Sequence, residues 1–290
     1  MDDAIRIRGL TKAYGGRLAV AGLDLDIRSG ETFALLGPNG AGKTTTVEIA
    51  EGFRTRDAGE VRVLGTDPQG AGRAWRNRVG IVLQSSGGLD LLTPREALVS
   101  TARSYARPRA VDEVLTSVGL QDKADSRVVG LSGGQRRRLD VALCIVGHPE
   151  LLFLDEPTTG FDPQARRDFW ELIRSLSVEG TTIVLTTHYL DEAEALADRV
   201  GVISGGRLVA LDTPTALGGR SREEATVSWE EDGIRRSLRT STPTADLTLL
   251  AARMPGGEVP GLTVTRPSLE EAYLALITSS PADDRSEVPA

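Results

Sequence analysis

Residues 37–44, Gly37-Pro38-Asn39-Gly40-Ala41-Gly42-Lys43-Thr44, fit the spacing Gly-x4-Gly-Lys-Ser/Thr. They stand between a continuous apolar run, Thr32-Phe33-Ala34-Leu35-Leu36, and a helical pattern through Val47, Ile49 and Ala50. A strand that is apolar throughout must be buried on both faces, which calls for a parallel sheet covered by helices. The glycines let the backbone curl so that successive N–H groups turn inward, and the following helix adds partial positive charge at its N-terminus. Such a loop cradles phosphates. Lys43 can reach the β- and γ-phosphates of a nucleoside triphosphate, and the Thr44 hydroxyl suits Mg²⁺. The plainer alternative, a glycine-rich turn with a stray lysine, does not account for the strand before it and the helix after it. Lysine is also scarce, with 3 (Lys12, Lys43, Lys123) against 31 arginines.

The rest of the chain supplies the frame for that loop. Residues 4–8 and 23–27 alternate as half-exposed antiparallel strands around a turn at Gly15-Gly16. Further strands are expected at 61–64, 79–83, 151–154, 182–186 and 200–203. Between Gln84 and Pro149 the pattern turns helical. Thr93-Pro94-Arg95-Glu96 reads as a capping box with proline at the first helical position, and helices are expected over 111–118 and 136–146. After Thr213-Pro214 the character changes to a hairpin (225–230 and 234–240), a helix (245–254), a strand (261–266) and a helix capped by Ser268-Leu269-Glu270-Glu271. The expected division is therefore a domain at 1–215 with a helical subdomain at about 85–149, a small α+β appendix at 216–280, and a polar, disordered tail at 281–290.

A second constellation says how the phosphate is handled. Leu151-Leu152-Phe153-Leu154 ends in Asp155 and Glu156. A carboxylate at a buried strand tip is costly unless a cation offsets it, and Mg²⁺ does so. Asp155 is then the metal-shell acid, while Glu156 stands where it can orient and polarise an attacking water. Two solvated acids at a strand end are the bland reading, weakened by the loop at 37–44. His188 follows the strand 182–186, at the carboxyl end where ligands collect in parallel sheets. His148, at a helix end before Pro149, reads as structural. The single cysteine, Cys144, lies in an apolar helical stretch and reads as a packing residue rather than a disulfide or metal ligand.

Taken together, these residues resemble the ATP-binding subunit of an ATP-binding cassette (ABC) transporter, over residues 4 to about 215. The resemblance implies an α/β fold of the P-loop NTPase class, with a RecA-like core, an antiparallel β subdomain, a helical subdomain and the C-terminal appendix. Tyr14 matches the aromatic that stacks on adenine. Gly37, Pro38, Asn39, Gly40, Ala41, Gly42, Lys43, Thr44 and Thr45 match the Walker A segment, and Gln84 matches the Q-loop, which senses Mg²⁺ and water. Leu131-Ser132-Gly133-Gly134-Gln135 matches the family signature without substitution. Asp155 matches the Walker B aspartate, Glu156 the catalytic glutamate, Asp162 the D-loop and His188 the switch histidine. The D-loop carries Phe161 where leucine is usual, a swap that keeps the site apolar.

The family further implies a head-to-tail homodimer with two ATP molecules, each held by Walker A of one copy and by Ser132, Gly133, Gly134 and Gln135 of the other. Mg²⁺ is the implied metal, with Thr44, Asp155 and Gln84 as its ligands. The working assembly would include a separate transmembrane permease, at the cytoplasmic face of the cell membrane. No signal peptide is evident, and no apolar run approaches the ~20 residues that span a bilayer.

Two non-transport readings do poorly. Translation-associated relatives carry two cassettes in tandem, and 290 residues have room for one. Chromosome-maintenance relatives insert a long coiled coil, whereas here 87 residues without heptads separate Walker A from the signature. A net charge of −7 and a pI near 5.1 also count against nucleic acid as the partner. The signature region and the tail Pro267-Ser268-Leu269-Glu270-Glu271-Ala272-Tyr273-Leu274 resemble drug-type cassettes of the type-2 exporter group, which implies export of drugs or antibiotics. Export of lipid or polysaccharide is the alternative within the same family.

Overall fold

Apolar patterning divides the strands into a half-buried antiparallel sheet and a fully buried parallel one. A computed structural model of the chain describes residues 3–82, 88–219, 224–231 and 233–279; Gln84 and the tail from residue 281 lie outside them. Strands β1 (Asp3–Tyr14) and β2 (Arg17–Arg28) form the expected hairpin, with Tyr14 opposite Arg17 across Gly15-Gly16. Next comes β3 (Thr32–Leu36), buried at every position, which leads into α1 (Lys43–Ala50). Strand β4 (Ala58–Val63) then pairs antiparallel with β1 to complete the outer sheet. The single turn α2 (Arg73–Arg76) precedes β5 (Val79–Val82).

The helical insertion comprises α3 (Pro94–Ala102), α4 (Val111–Ser117) and α5 (Gly133–Ile145). The capping box forms as its residues require: Thr93 Oγ1 accepts from the Glu96 N–H at 3.1 Å, and Glu96 Oε2 accepts from the Thr93 N–H at 2.9 Å. The chain returns through β6 (Leu151–Asp155), α6 (Pro163–Val178), β7 (Thr182–Thr186), α7 (Leu190–Leu196), β8 (Arg199–Ser204) and β9 (Arg207–Asp212). Strand order in the central sheet is β5-β6-β7-β3-β8-β9, parallel except for β9.

Continuous apolar strands are explained by the two cores they separate. Phe33 and Leu35, Leu151 and Phe153, and Val184 face the outer sheet and α1. Ala34 and Leu36, Leu152 and Leu154, and Ile183 and Leu185 face the helical side. Successive side chains point to opposite faces, so both halves of each strand are buried.

The sequence expectations contain no helix at 163–178 or 190–196 and no strand at 207–212. Strand β9 is a partly exposed edge without clean alternation, and α7 is only seven residues long. The α6 start is marked by an aspartate cap followed by proline: Asp162 Oδ1 accepts from the Gln164 and Ala165 N–H groups, each at 2.9 Å. Phe169, Leu172, Ile173 and Leu176 then recur on its buried face.

The C-terminal part forms β10 (Ala225–Glu231) and β11 (Ile234–Thr240), then α8 (Pro243–Arg253), β12 (Thr263–Thr265) and α9 (Leu269–Ser279). Its sheet order is β11-β10-β12. Ser268 caps α9 in a second predicted box, with Glu271 N–H to Ser268 Oγ at 3.1 Å and Ser268 N–H to Glu271 Oε2 at 2.8 Å. Helix α9 packs back on the main core. Leu269 belongs to the helical-side core, and Tyr273, Leu276 and Ile277 lie against it.

Phe169 is fully buried and meets Phe161 edge-on, with centroids 5.8 Å apart. Phe169→Ala is expected to lower unfolding free energy by about 3–5 kcal/mol, since it removes both the burial and the aromatic contact. Urea unfolding followed by far-UV circular dichroism measures it; a loss below about 1 kcal/mol would show that this core relaxes into the space.

Candidate functional site

The phosphate loop emerges from the centre of the sheet, between the carboxyl end of β3 and α1. Its curl depends on close backbone approach. A Cβ on Gly37 would stand 2.3 Å from the Ile203 carbonyl oxygen, and one on Gly42 (φ 105°) would stand 2.3 Å from the Ala19 carbonyl oxygen. Lys43 is 7 % exposed and donates to the Gly37 carbonyl at 2.6 Å and the Pro38 carbonyl at 3.1 Å. Burial lowers its pKa, while the charges of Glu156 and Asp155 oppose the shift. Those two acids, Thr44, Thr45, Asn39 and Tyr14 all line one cleft of about 220 Å³ with Lys43. Tyr14 stands at its rim, 41 % exposed, with the Lys12 ammonium 5.6 Å and the Arg54 guanidinium 5.4 Å from its ring centre.

The acids reach this cleft because β7 lies between β3 and β6. In the parallel register Thr186 stands beside Leu35 on one side and Asp155 on the other. Its hydroxyl donates to Asp155 Oδ1 in a short hydrogen bond and accepts from the Glu156 N–H at 3.3 Å; its carbonyl accepts from the same N–H at 3.0 Å. Glu156 holds a left-handed backbone, φ 42°, which is uncommon for a non-glycine residue and turns its side chain off the strand line. One carboxylate oxygen lies 3.4 Å from His188 Nδ1, and the other accepts from Thr159 Oγ1 at 3.4 Å. Arg137 of α5, 7 % exposed, donates to the Asp155 carbonyl at 2.8 Å. Burial lowers the Arg137 pKa against the pull of Asp140 and Asp155.

Sequence reasoning picked out neither Thr186 nor Arg137. A threonine at a strand end and an arginine in an Arg-rich run carry no local signal. Only the register of β6 with β7, and the packing of α5 behind β6, assign them a place.

The residues expected to act across a dimer are placed differently. Ser132 caps α5: its Oγ accepts from the Gln135 N–H at 3.3 Å, and its N–H donates to Gln135 Oε1 at 3.0 Å. Gln135 therefore uses its side chain to brace the helix start. A Cβ on Gly134 would meet the Ala165 Cβ at 3.2 Å, so the signature turn abuts the beginning of α6 and the Asp162 cap. Neither Asp162 nor any of Ser132, Gly133, Gly134 and Gln135 lines the cleft around Lys43. A single chain thus brings together Tyr14, the loop, Asp155, Glu156 and His188, and leaves the signature outside.

A metal fits the cleft only in company. Among the described residues no group of three or more His, Cys, Asp or Glu could hold one. The exposed Thr44 hydroxyl and the Asp155 carboxylate are hard oxygen donors in the lining of one cleft, which suits a Mg²⁺ ion that keeps most of its shell for phosphate and water. Away from the cleft, the Cys144 thiol faces the Ile81 carbonyl at 3.2 Å, and burial pushes its pKa up to about 12. That agrees with a packing role. Among the described residues, no helix is long and apolar enough to cross a membrane.

A family model described as ABC transporter matches residues 20–159. The chain is 40 % identical to the daunorubicin/doxorubicin resistance ATP-binding protein DrrA of Streptomyces peucetius, over 98 % of this chain and 94 % of that protein. It is 44 % identical to the Nod factor export ATP-binding protein I of Rhizobium johnstonii, over 74 % of this chain and 70 % of that one. Among solved structures, cbiO1 of Clostridium perfringens, part of the ABC transporter complex cbiONQ, superposes with a TM-score of 0.68 at 26 % identity, covering 74 % of this chain and 90 % of that one. The ATP-binding cassette MJ0796, in a dimeric post-hydrolysis state bound to ADP and Pi, superposes with a TM-score of 0.64 at 23 % identity, over 72 % and 98 %.

Glu51, at the end of α1, was not anticipated. It is 9 % exposed, and burial, reinforced by the charges of Asp155 and Glu48, raises its pKa to about 7. A carboxyl whose folded pKa is raised binds its proton more tightly when folded, so stability falls as pH climbs from the ordinary carboxylate range to about 7. Glu51→Gln is expected to add up to about 3 kcal/mol at pH 8 and nothing near pH 4.5. Urea midpoints at the two pH values test this, and equal gains at both would refute it.

Proposed function

This chain belongs to the ABC transporter family, and from that membership we propose a residue-level account of an ATPase that energises export through a separate membrane permease. The observation that carries the account is the division of the site: Lys43, Asp155 and Glu156 line one cleft with His188 against Glu156, and the signature at residues 132–135 is not part of its lining. Two copies arranged head to tail would make each site whole, with Ser132, Gly133 and Gly134 of one copy presenting a hydroxyl and backbone N–H groups to the γ-phosphate held by the other.

In this reading the phosphates lie along the N–H groups of residues 37–45, with Lys43 turned from the loop carbonyls to the β- and γ-oxygens. Tyr14 stacks on adenine. Glu156 aligns and polarises the attacking water; Thr186 holds its backbone N–H and Thr159 its carboxylate. His188, on the far side of that carboxylate, donates to a γ-phosphate oxygen and relays the state of the phosphate to its own loop. Thr44, Asp155 and Gln84 would hold Mg²⁺, which when bound would supply neutralising charge to the phosphates. Asp162 carries the contact between copies. Hydrolysis removes the group that both copies grip, and the pair loosens.

The proposed domain division is the cassette at 1–215, with its helical subdomain at about 85–149, and the appendix at 216–280. The proposed location is the cytoplasmic face of the cell membrane. The proposed cargo class is drugs or antibiotics. The reason is coverage: similarity to the drug-resistance protein runs through the appendix, whereas the Nod factor export relatives match over about three quarters of the chain.

Glu156→Gln is expected to keep ATP affinity within a fewfold, lower turnover by at least about a hundredfold, and trap a dimer with Mg²⁺-ATP. ATPase assays and size-exclusion chromatography read the three effects, and unchanged turnover would remove Glu156 from the mechanism. Ser132→Arg is expected to stop hydrolysis while leaving nucleotide affinity mostly intact. A collapse of affinity to match would show that the signature acts within its own chain. For the cargo, the chain co-expressed with the membrane protein that co-purifies with it is expected to lower cellular accumulation of an anthracycline-like dye, and unchanged accumulation would turn the assignment away from drugs.

A further inference from the structure

Glu192 is the second residue of the α7 first turn to carry a carboxyl, and it is wholly buried, 0 % exposed, beneath α6. Helix starts favour acids, but exposed ones. Its Oε1 accepts from the Trp170 indole N–H at 3.3 Å, and the hydroxyls of Thr158 and Thr187 also face the carboxyl. Among the described residues, Glu192 Oε2 and Thr158 Oγ1 are both buried and neither completes a hydrogen bond of full geometry, although the Thr158 hydroxyl faces the carboxyl closely enough to stabilise its charge. Such atoms are rare in folded proteins and call for an explanation.

The position supplies one. Thr158 lies two residues after Glu156, in the segment that leads to the Asp162 cap. Thr187 immediately precedes His188, and its Oγ1 accepts from the Tyr189 N–H at 3.0 Å. The Tyr189 ring is stacked under the Arg166 guanidinium of α6 at 4.7 Å and lies 4.1 Å from the His188 ring. A single buried carboxyl therefore stands between the loop that carries Glu156 and the loop that carries His188, outside the lining of the nucleotide cleft. Burial raises its pKa, and the hydroxyls, the indole and the Arg166 charge pull the other way.

We propose that Glu192 is a positioning residue, a buried latch between the Thr158 and Thr187 segments that holds His188 against Glu156. It acts through the hydrogen-bonding capacity of its side chain, which meets the Trp170 indole and faces the hydroxyls of Thr158 and Thr187. The inference rests on the reading of His188 and Glu156 given above.

The test combines conservative rescue with a double-mutant cycle, using the full chain, Mg²⁺-ATP and steady-state hydrolysis. Glu192→Ala is expected to lower kcat about tenfold with KM for ATP within about threefold, and Glu192→Gln, which keeps shape and hydrogen bonding, to stay within about threefold of the parent. In a His188→Ala background, Glu192→Ala is expected to add less than about twofold, because its effect passes through His188. Thr158→Val, nearly isosteric, is expected to lower kcat severalfold and to be absorbed by His188→Ala in the same way; it carries the test if Glu192→Ala does not fold. Effects that multiply in the His188→Ala background, or a Gln variant as poor as Ala, would overturn the latch while leaving the catalytic pair standing. A His188→Ala variant with the parent's kcat would overturn both.

Discussion

Everything at the site depends on the parallel pairing of β7 with β3 on one side and β6 on the other. That register brings three chain segments, far apart in sequence, to one level at the carboxyl edge of the sheet. Thr186 stands at the junction, with its hydroxyl shared between Asp155 and the Glu156 backbone. Slipping β6 by one residue would exchange its two faces, bury Asp155 differently and move Leu154 toward the phosphates. The two apolar cores prevent this, since each strand has large side chains fixed on both faces. Packing on the scale of the whole sheet thus sets geometry on the scale of a single carboxylate.

Charge is arranged with the same economy. One buried ammonium, two carboxylates and a buried guanidinium meet within a small region, and the carboxylates oppose, without cancelling, the desolvation of Lys43 and Arg137. Lys43 folds back on the carbonyls of its own loop, so a cationic side chain is poised over the cleft and, among the described residues, has no ion-pair partner that a phosphate would have to displace. Glu156 keeps its backbone in a region that costs free energy, and the hydrogen bonds from its N–H to Thr186 hold it there.

What could be read from the residues alone was local. The apolar strand, the curled loop and α1 were legible because a few contiguous residues determine them, and the capping boxes at Thr93 and Ser268 were legible for the same reason. The acids at the β6 tip gained meaning only beside the loop. Thr186, Arg137 and Glu192 were not legible, because a threonine, an arginine and a helical glutamate are ordinary in isolation and take their roles from strands and helices brought together by folding. Strand β9 escaped because an exposed edge needs no strict alternation. Helix α6 does carry a local signal, in Asp162-Pro163 and the spacing of Phe169, Leu172, Ile173 and Leu176.

The seat of α9 bears on how such chains can be rearranged. Sequence composition divides the chain near residue 215, yet Leu269 of α9 is buried in the main core, and its neighbour Ala272 lies against Gly218. Helix α9 is therefore the part of the appendix that closes the core of the ATP-binding domain, and the chain reaches it only after building β10, β11 and β12. A chimera joined at 215 would strip an apolar strip from the recipient and leave another uncovered on the donor. Recombination between relatives, in nature or in the laboratory, would exchange the segment between Gly219 and Ser268 as a loop-like insert more readily than it would exchange the whole C-terminal third.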